Sequence, residues 1–351
     1  MLLASVLLLG IAWGPGPVLS ATPASLVSAG QHVIWSYAGL TPPQPLYTAI
    51  SVGQVAGIIF FKDNIGANIS SVVTSLKNAN ANSPTQLPLL MMTDQEGGQV
   101  RRLSGEPTQS AKQMCAAGTV SSGGTGAGQN LKSVGMNVNL APVLDIYRVA
   151  GDFEDQYERS FSNDPTKVSS CGASFITAQQ AVGVAASAKH FPGLGAAARG
   201  VNTDTQPVTL NLSASEIRSV DELPYVAAIA AGVKLVMPSW AIYPSIDASR
   251  PSGLSSTFIY TELRGRLGFE GVTISDAIEA AGLSAYGSDA NRAIIASEAG
   301  MDLILAAARD ANQGAGIVTA LANALDNGTV DKKAFDRATA RIASLRKSMS
   351  F

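Results

Sequence analysis

Eight short apolar segments recur along this chain, and each is followed by a stretch with helical character. The segments are non-alternating and are bounded by Gly, Pro or Asp, which is typical of strands that are buried on both faces. They lie at residues 32–38, 56–61, 88–93, 137–141, 185–190, 234–239, 272–275 and 303–306. Strands that alternate with helices in this way predict an α/β fold, a single-domain (β/α)8 barrel of the TIM type.

The stretches between the strands contain signals for helix ends. Ser213 and Glu216 have the spacing of a capping box, and Asp164 followed by Pro165 predicts a helix start. Gly300 is expected to end the helix before the eighth strand. The alternative fold is a doubly wound open sheet, but no Gly-x-Gly-x-x-Gly motif follows an early strand. The barrel is therefore the favoured fold.

Composition limits the classes of partner. Of the 351 residues, 46% are apolar and 14% are charged, which suits a large core and argues against disorder. The net charge is −2, and no run of five or more Lys or Arg residues occurs. Binding to nucleic acid is therefore not expected as the main role. No segment beyond the N-terminus resembles a transmembrane helix.

The N-terminal residues resemble a signal peptide. The apolar run that begins at Leu2 is too short to span a bilayer, and the following residues suit cleavage before Ala21. No Lys or Arg precedes the run, so the alternative is a cytoplasmic chain with an apolar N-terminus. We expect residues 1–20 to direct export to a secreted or extracytoplasmic location and residues 21–351 to form the folded domain.

The few cysteine and histidine residues restrict the metal chemistry. Cys115 and Cys171 are too few for a disulfide scaffold or a Cys-based zinc site. They are expected to form one disulfide if the chain is exported, and the alternative is two separate buried thiols. His32 and His190 stand alone in the sequence, so no His-rich metal site is predicted. His32 begins the first predicted strand and is interpreted as a structural residue.

Charged residues follow several of the predicted strands. Asp94 follows the third strand, Lys189 and His190 end the fifth, Asp276 follows the seventh, and Arg159 lies in the loop after the fourth. A single strand-end Asp is more often a helix cap, and a single loop Arg is more often a solvated charge. The C-terminal ends of barrel strands meet at one rim, however, so four such ends together predict a polar pocket.

The residue types at this rim favour a substrate with many hydroxyl groups. No Gly-x-Ser-x-Gly motif, Ser with a nearby His, or P-loop occurs in the chain. The carboxylate of Asp276 could attack the anomeric carbon of a sugar. The candidates for binding sugar hydroxyl groups are Asp94, Arg102, Arg159, Lys189 and His190.

Six motifs, in this order, resemble those of the family 3 glycoside hydrolases, in the single-barrel type of bacterial β-N-acetylglucosaminidases. They are DQEGGQVRRL, NVNLAPVLDI, ERSFSNDP, KHFPGLG, LRGRLGFEGVTISDA and AGMDLIL. The resemblance extends from near residue 25 to near residue 345. It implies a retaining enzyme, with no cofactor or metal, that acts on a β-glycoside, such as one derived from cell walls or chitin.

The resemblance also assigns roles to the rim residues. Asp276 matches the nucleophile that forms the covalent glycosyl-enzyme, and Asp94 matches the carboxylate that holds sugar hydroxyl groups. The other sugar-binding positions are matched by Arg102, Arg159, Lys189 and His190.

The loop after the fifth strand departs from the family pattern. In the acetylglucosaminidase type this loop carries an Asp-x-His dyad, in which Asp orients His and His protonates the leaving oxygen. This chain has Asp204, Thr205 and Gln206 there. The amide of Gln does not titrate near neutral pH, so Gln206 cannot supply a proton by ionising.

Three interpretations of this loop remain open. Asp204 acts directly as the acid/base, with its pKa raised by burial. Alternatively, a carboxylate reaches the pocket from an acidic loop that contains Asp152, Glu154, Asp155 and Glu158. In the third interpretation, the chain binds sugar and has lost most of its hydrolytic power.

The predicted function is hydrolysis of terminal β-linked sugars, most of all β-N-acetylglucosaminides, by a β-N-acetylhexosaminidase-type enzyme with Asp276 and Asp204 as catalytic residues. The alternatives are a catalytically weakened glycan-binding protein on the same barrel and a β-glucosidase-like enzyme.

Overall fold

A computed structural model describes residues 21–349, so the signal peptide predicted at residues 1–20 lies outside the described residues. Eight strands form a closed barrel in which every neighbouring pair is parallel. In chain order they are β1 (Val33–Trp35), β2 (Gly57–Ile59), β3 (Leu90–Thr93), β4 (Val138–Asn139), β5 (Ala185–Phe191), β6 (Leu235–Pro238), β7 (Val272–Ala277) and β8 (Leu303–Leu305). Each overlaps one predicted segment, so the (β/α)8 prediction is confirmed.

The first strand closes the barrel by pairing on both sides. Ile34 of β1 lies opposite Leu305 of β8 and opposite Gly57 of β2. The order around the barrel is β1, β8, β7, β6, β5, β4, β3 and β2. Closure leaves no unpaired sheet edge, and it brings the C-terminal ends of all eight strands to one rim.

Helices surround the barrel. The described α-helices are α1 (Pro23–Gly30), α2 (Gln44–Ser51), α3 (Ile69–Asn80), α4 (Ala111–Ala117), α5 (Val120–Ser133), α6 (Pro165–Ala181), α7 (Ala214–Glu216), α8 (Leu223–Ala230), α9 (Asp289–Ala299), α10 (Ala311–Asp326) and α11 (Lys332–Ser348). Shorter 3₁₀ segments lie at Lys62–Asn64, Ser252–Leu254 and Ala281–Tyr286, and π-helical segments lie at Ile217–Asp221 and Thr257–Arg266. A hairpin of Gln95–Gly97 and Val100–Arg101 follows β3, and Val208–Thr209 pairs with Ala241–Ile242.

The ends of several helices match the predicted signals. The Asp164 side chain accepts hydrogen bonds from backbone N–H groups at the start of α6. The Ser213 side chain accepts one from the backbone N–H of Glu216 at the start of α7. Gly300 ends α9 in the left-handed conformation, with φ of 101°. These caps stabilise the helix ends because they satisfy backbone groups that have no partner within the helix.

The barrel interior is filled by apolar side chains, as in a packed core and not a pore. Ile34, Met92 and Ile274 belong to this buried cluster, which also includes Ile342 and Leu345 of α11. The last helix therefore covers the N-terminal end of the barrel, and the polar site is confined to the opposite, C-terminal end.

His32 is a structural residue near the covered end of the barrel. Its Nδ1 lies 2.8 Å from the Asp302 carbonyl oxygen, and its Nε2 lies 2.7 Å from Thr339 Oγ1. Burial lowers the pKa of His32 to about 4, despite the hydrogen bond to Asp302. The ring is therefore neutral near pH 7, with both nitrogens in hydrogen bonds.

The two cysteines form a disulfide. The predicted bond is therefore confirmed, and the alternative of two separate buried thiols is wrong. The bond joins Cys115 of α4 to Cys171 of α6, whose Cα atoms lie 5.9 Å apart. Within the described residues, no helix combines the length and apolarity that crossing a membrane requires.

Candidate active site

All seven residues predicted for the site border one cavity of about 1070 Å³ at the C-terminal rim of the barrel. Asp94 follows β3 directly, Lys189 and His190 belong to β5, and Asp276 belongs to β7. The loops after the strands supply the remaining three, Arg102, Arg159 and Asp204. The barrel thus brings together charged groups that lie far apart in the sequence.

Asp94 is held between two cations at the rim. Its Oδ1 lies 2.8 Å from Lys189 Nζ, and its Oδ2 lies 3.1 Å from an Arg102 guanidinium nitrogen. Burial by itself would raise the pKa of Asp94, but the charges of Lys189 and Arg102 outweigh burial and hold this pKa well below its usual range. Asp94 is therefore ionised near neutral pH and can accept hydrogen bonds.

Glu96 is a site residue that the sequence interpretation missed. Arg159 donates two hydrogen bonds to the Glu96 carboxylate, at 2.8 and 2.9 Å, and Lys189 Nζ lies 2.8 Å from it. Burial opposes ionisation, but Arg159 and Lys189 lower the pKa of Glu96 to about 2. Glu96 lies two residues after Asp94 in the DQEGG motif, and this position was the signal that could have identified it. The single carboxylate of Glu96 pairs with both Arg159 and Lys189, so it holds the two cations in place.

Glu154 contacts the Arg159 guanidinium at Nη1, the nitrogen that Glu96 does not bind. Its Oε2 lies 2.7 Å from Arg159 Nη1, but neither Glu154 oxygen has a hydrogen-bond partner among the described residues, so the contact is an ion pair without hydrogen-bond geometry. Burial raises the pKa of Glu154 to about 7, although Arg159 and His190 act in the opposite direction. Its side chain has no solvent exposure. Glu154 therefore lies behind Arg159 and borders the cavity without being open to it.

Asp145, also missed by the sequence interpretation, fixes the ring of His190. Its Oδ2 lies 2.7 Å from His190 Nδ1, and its Oδ1 accepts hydrogen bonds from the backbone N–H groups of His190 and Leu194. The peptide bond between Lys189 and His190 is cis. Burial disfavours the protonated ring, but Asp145 outweighs burial and raises the pKa of His190.

One group of side chains has the residue types of a metal site. Asp145, Glu154 and His190 each offer a ligand atom, and these atoms lie within 4.8 Å of one another. Both Asp145 oxygens already accept hydrogen bonds, and the cationic Arg159 lies against Glu154. Asp145 and Glu154 are thus already paired with protein groups, and a cation at this place would lie close to the positive charge of Arg159.

Asp276 and Asp204 also border the cavity, beside this charged network. Asp276 Oδ1 accepts a hydrogen bond of 2.7 Å from the backbone N–H of Ala277. Asp204 is exposed as a whole residue but borders the cavity, and its backbone N–H donates to Asn202 Oδ1 at 2.8 Å. Partial burial of its carboxyl, followed by the negative charge of Asp276, raises the pKa of Asp204 to about 6. Asp204 is therefore a carboxyl group that can hold a proton near neutral pH.

Gln206 does not take the place of a dyad histidine in the cavity. Its side chain is exposed, and its Nε2 donates to the Gly200 carbonyl oxygen at 3.3 Å. Gln206 is not among the residues that line the cavity.

The acidic loop does not supply a second open carboxylate. The Asp152 side chain accepts hydrogen bonds from backbone N–H groups of its own loop. Asp155 pairs with Lys112, and Glu158 accepts a hydrogen bond from Ser110. Glu154 is the member of this loop that borders the cavity, and Arg159 lies against it. The geometry therefore favours Asp204 over the acidic loop as a proton donor.

Comparison with known proteins agrees with this architecture. Residues 34–345 match the Glycosyl hydrolase family 3 N terminal domain. An uncharacterized secreted glycosyl hydrolase from Arthroderma benhamiae is 47% identical over 330 residues, which cover 92% of this chain and 94% of the relative.

Two solved structures have the same barrel. The β-N-acetylhexosaminidase from Beutenbergia cavernae DSM 12333 has a TM-score of 0.83 and 31% identity, with 92% of this chain and 98% of that chain covered. The family 3 β-N-acetylglucosaminidase from Paenibacillus sp. str. FPU-7 has a TM-score of 0.86 and 30% identity. The match covers 92% of this chain and 62% of that longer one. This chain therefore belongs to glycoside hydrolase family 3 and is an enzyme of the β-N-acetylhexosaminidase type.

Proposed function

We propose that this enzyme hydrolyses terminal β-linked N-acetylhexosaminides with retention of configuration, using Asp276 as the nucleophile and Asp204 as the acid/base. The observation that carries the proposal is that Asp276 and Asp204 border the same cavity and that the charge of Asp276, together with burial, raises the pKa of Asp204 to about 6. Hydrolysis through a glycosyl-enzyme needs one carboxylate that attacks and a second carboxyl group that gives a proton, and the raised pKa of Asp204 suits the second role.

The reaction follows two displacements. The Asp276 carboxylate attacks the anomeric carbon as the bond to the leaving oxygen breaks, and protonated Asp204 transfers its proton to that oxygen. Ionised Asp204 then takes a proton from water, and this water attacks the anomeric carbon of the glycosyl-enzyme and releases Asp276. Asp94 accepts hydrogen bonds from sugar hydroxyl groups in both steps, and Arg102, Arg159, Lys189 and His190 complete the sugar site.

The substrate class is tested with aryl β-glycosides. We expect a nitrophenyl β-N-acetylglucosaminide to be hydrolysed with a higher kcat/KM than the matching β-glucoside, because relatives with this barrel are N-acetylhexosaminidases. A preference for the glucoside would support a β-glucosidase-like enzyme instead. Binding of N-acetylglucosamine oligosaccharides without hydrolysis of either aryl substrate would support the glycan-binding alternative, which the replacement of the dyad histidine by Gln206 favours.

We also infer that the chain is exported. The relative from Arthroderma benhamiae, with 47% identity, is described as secreted, and disulfides such as the one between Cys115 and Cys171 persist in oxidising compartments. The expected result is a chain in the culture medium whose N-terminus is near Ala21, measured by mass spectrometry of the unreduced protein. Retention of the complete chain inside the cell, with free thiols, would contradict export.

A further inference from the structure

The segment that follows the seventh strand binds the backbone of the loop that carries Asp204. The N–H of Ala281 donates to the Asp204 carbonyl oxygen at 2.9 Å, and the N–H of Gly282 donates to the Thr203 carbonyl oxygen at 3.0 Å. Gly282 follows Asp276 by only six residues in the chain. The two proposed catalytic carboxylates are therefore connected through a short segment and two backbone hydrogen bonds.

Gly282 lies in tight contact with the loop that carries Asp204. A Cβ atom at this position would lie 2.4 Å from the Thr203 carbonyl oxygen and 3.0 Å from that of Gln206. Both oxygens belong to the backbone, so the contact could be relieved only by a shift of the loop. Thr203 is 3% exposed, so the loop is packed against its neighbours at this residue. The contact therefore requires glycine for its lack of a side chain.

We propose that Gly282 and the N–H of Ala281 are positioning groups that hold Asp204 in its catalytic place beside Asp276. The proton donor is thus assembled on the segment that follows the nucleophile, before any substrate binds. The same contact accounts for Gln206, because docking of residues 203–206 leaves its side chain outside the cavity and bonded to Gly200. This inference rests on the proposed function, in which Asp204 gives the proton.

The first test is Gly282→Ala, measured with two substrates that differ in the leaving group. A shift of about 1 Å in a positioned group can cost on the order of 100-fold in rate. We therefore expect kcat/KM for an N-acetylglucosamine disaccharide to fall by about 10- to 100-fold. For the nitrophenyl glycoside we expect little change, because nitrophenolate leaves without a proton. A general loss of structure would lower both values together.

The chain offers a matched control and an independent second variant. Gly316→Ala in α10 adds a methyl group with no atom within 4 Å, so both substrates should be hydrolysed as in the wild type. Ala281→Pro removes the N–H that binds Asp204. Ala281 is the first residue of its 3₁₀ segment, and Ala280 is extended with ψ of 134°, so the backbone angles admit proline. The ring Cδ takes the place of the amide hydrogen, so it also pushes the Asp204 carbonyl oxygen away. We expect the same selective loss on the disaccharide.

The outcomes separate the positioning role from the proposed function. If Asp204→Asn leaves the ratio of the two kcat/KM values unchanged, the proposed function itself is wrong. If Asp204→Asn changes this ratio while folded Gly282→Ala and Ala281→Pro do not, only the positioning role is overturned. If both variants fail to fold, as judged by circular dichroism, the contact is a requirement for folding and the positioning role is likewise overturned.

Discussion

Asp276→Asn is expected to lower kcat by at least about 10⁴-fold on both aryl and disaccharide substrates. The amide has nearly the shape of the carboxylate, but it is neutral and cannot form the glycosyl-enzyme. The fold should be unchanged because the Oδ1 atom that accepts the N–H of Ala277 is kept. The measurement is steady-state hydrolysis with circular dichroism as the check on folding.

A control variant and a trapping experiment make this prediction specific. Asp336→Asn removes an exposed carboxylate that pairs with Lys332 on α11, and it should leave activity unchanged. In Asp204→Asn, hydrolysis of the glycosyl-enzyme should be slow, so an activated aryl substrate should leave an N-acetylhexosaminyl adduct on the peptide that contains Asp276. Wild-type turnover by Asp276→Asn, or an adduct on another residue, would remove Asp276 from the proposed mechanism.

The second large effect is expected for Asp204→Asn. General acid catalysis contributes about 10²–10⁴-fold, so kcat/KM for a disaccharide should fall by that factor. For a nitrophenyl glycoside kcat/KM should change little. Gln206→His should be nearly neutral or harmful, because the side chain at position 206 lies outside the cavity.

The pH dependence provides a second measurement of the same role. Burial and the charge of Asp276 raise the pKa of Asp204 to about 6, and the general acid acts only when it is protonated. The disaccharide kcat/KM of the wild type should therefore fall as the pH rises through about 6, and this decline should be absent in Asp204→Asn. A Gln206→His variant that gains activity on the disaccharide, with Asp204→Asn unaffected, would show that the wild type lacks an acid at this loop.

The sequence was sufficient to predict the barrel and the end of it that carries polar groups. Runs such as residues 56–61 and 303–306 contain no polar side chain, which is typical of strands buried on both faces. Because the C-terminal ends of barrel strands meet at one rim, Asp94 and Asp276 were predicted to lie in the same site. This part of the prediction succeeded because it depends on local patterns and on general topology.

The partners of these residues were decided by the tertiary structure. Glu96 pairs with both Lys189 and Arg159, and Asp145 fixes His190, yet each pair joins strands or loops that are distant in sequence. Local propensity does not specify such contacts, since they depend on loop conformations that form only when the barrel closes.

The acid/base loop shows the same division between sequence and structure. The sequence established that Asp204 is present and that the dyad histidine is replaced by Gln206, but it left open two sources of the proton and a loss of hydrolytic power. The fold docks the loop on Ala281 and Gly282, which brings Asp204 near enough to Asp276 for one charge to raise the other's pKa, and it leaves Glu154 buried behind Arg159. The sequence specifies the residue types of the loop. The pKa of each carboxyl group depends on its burial and on its distance from other charges, and both are set only when the barrel folds.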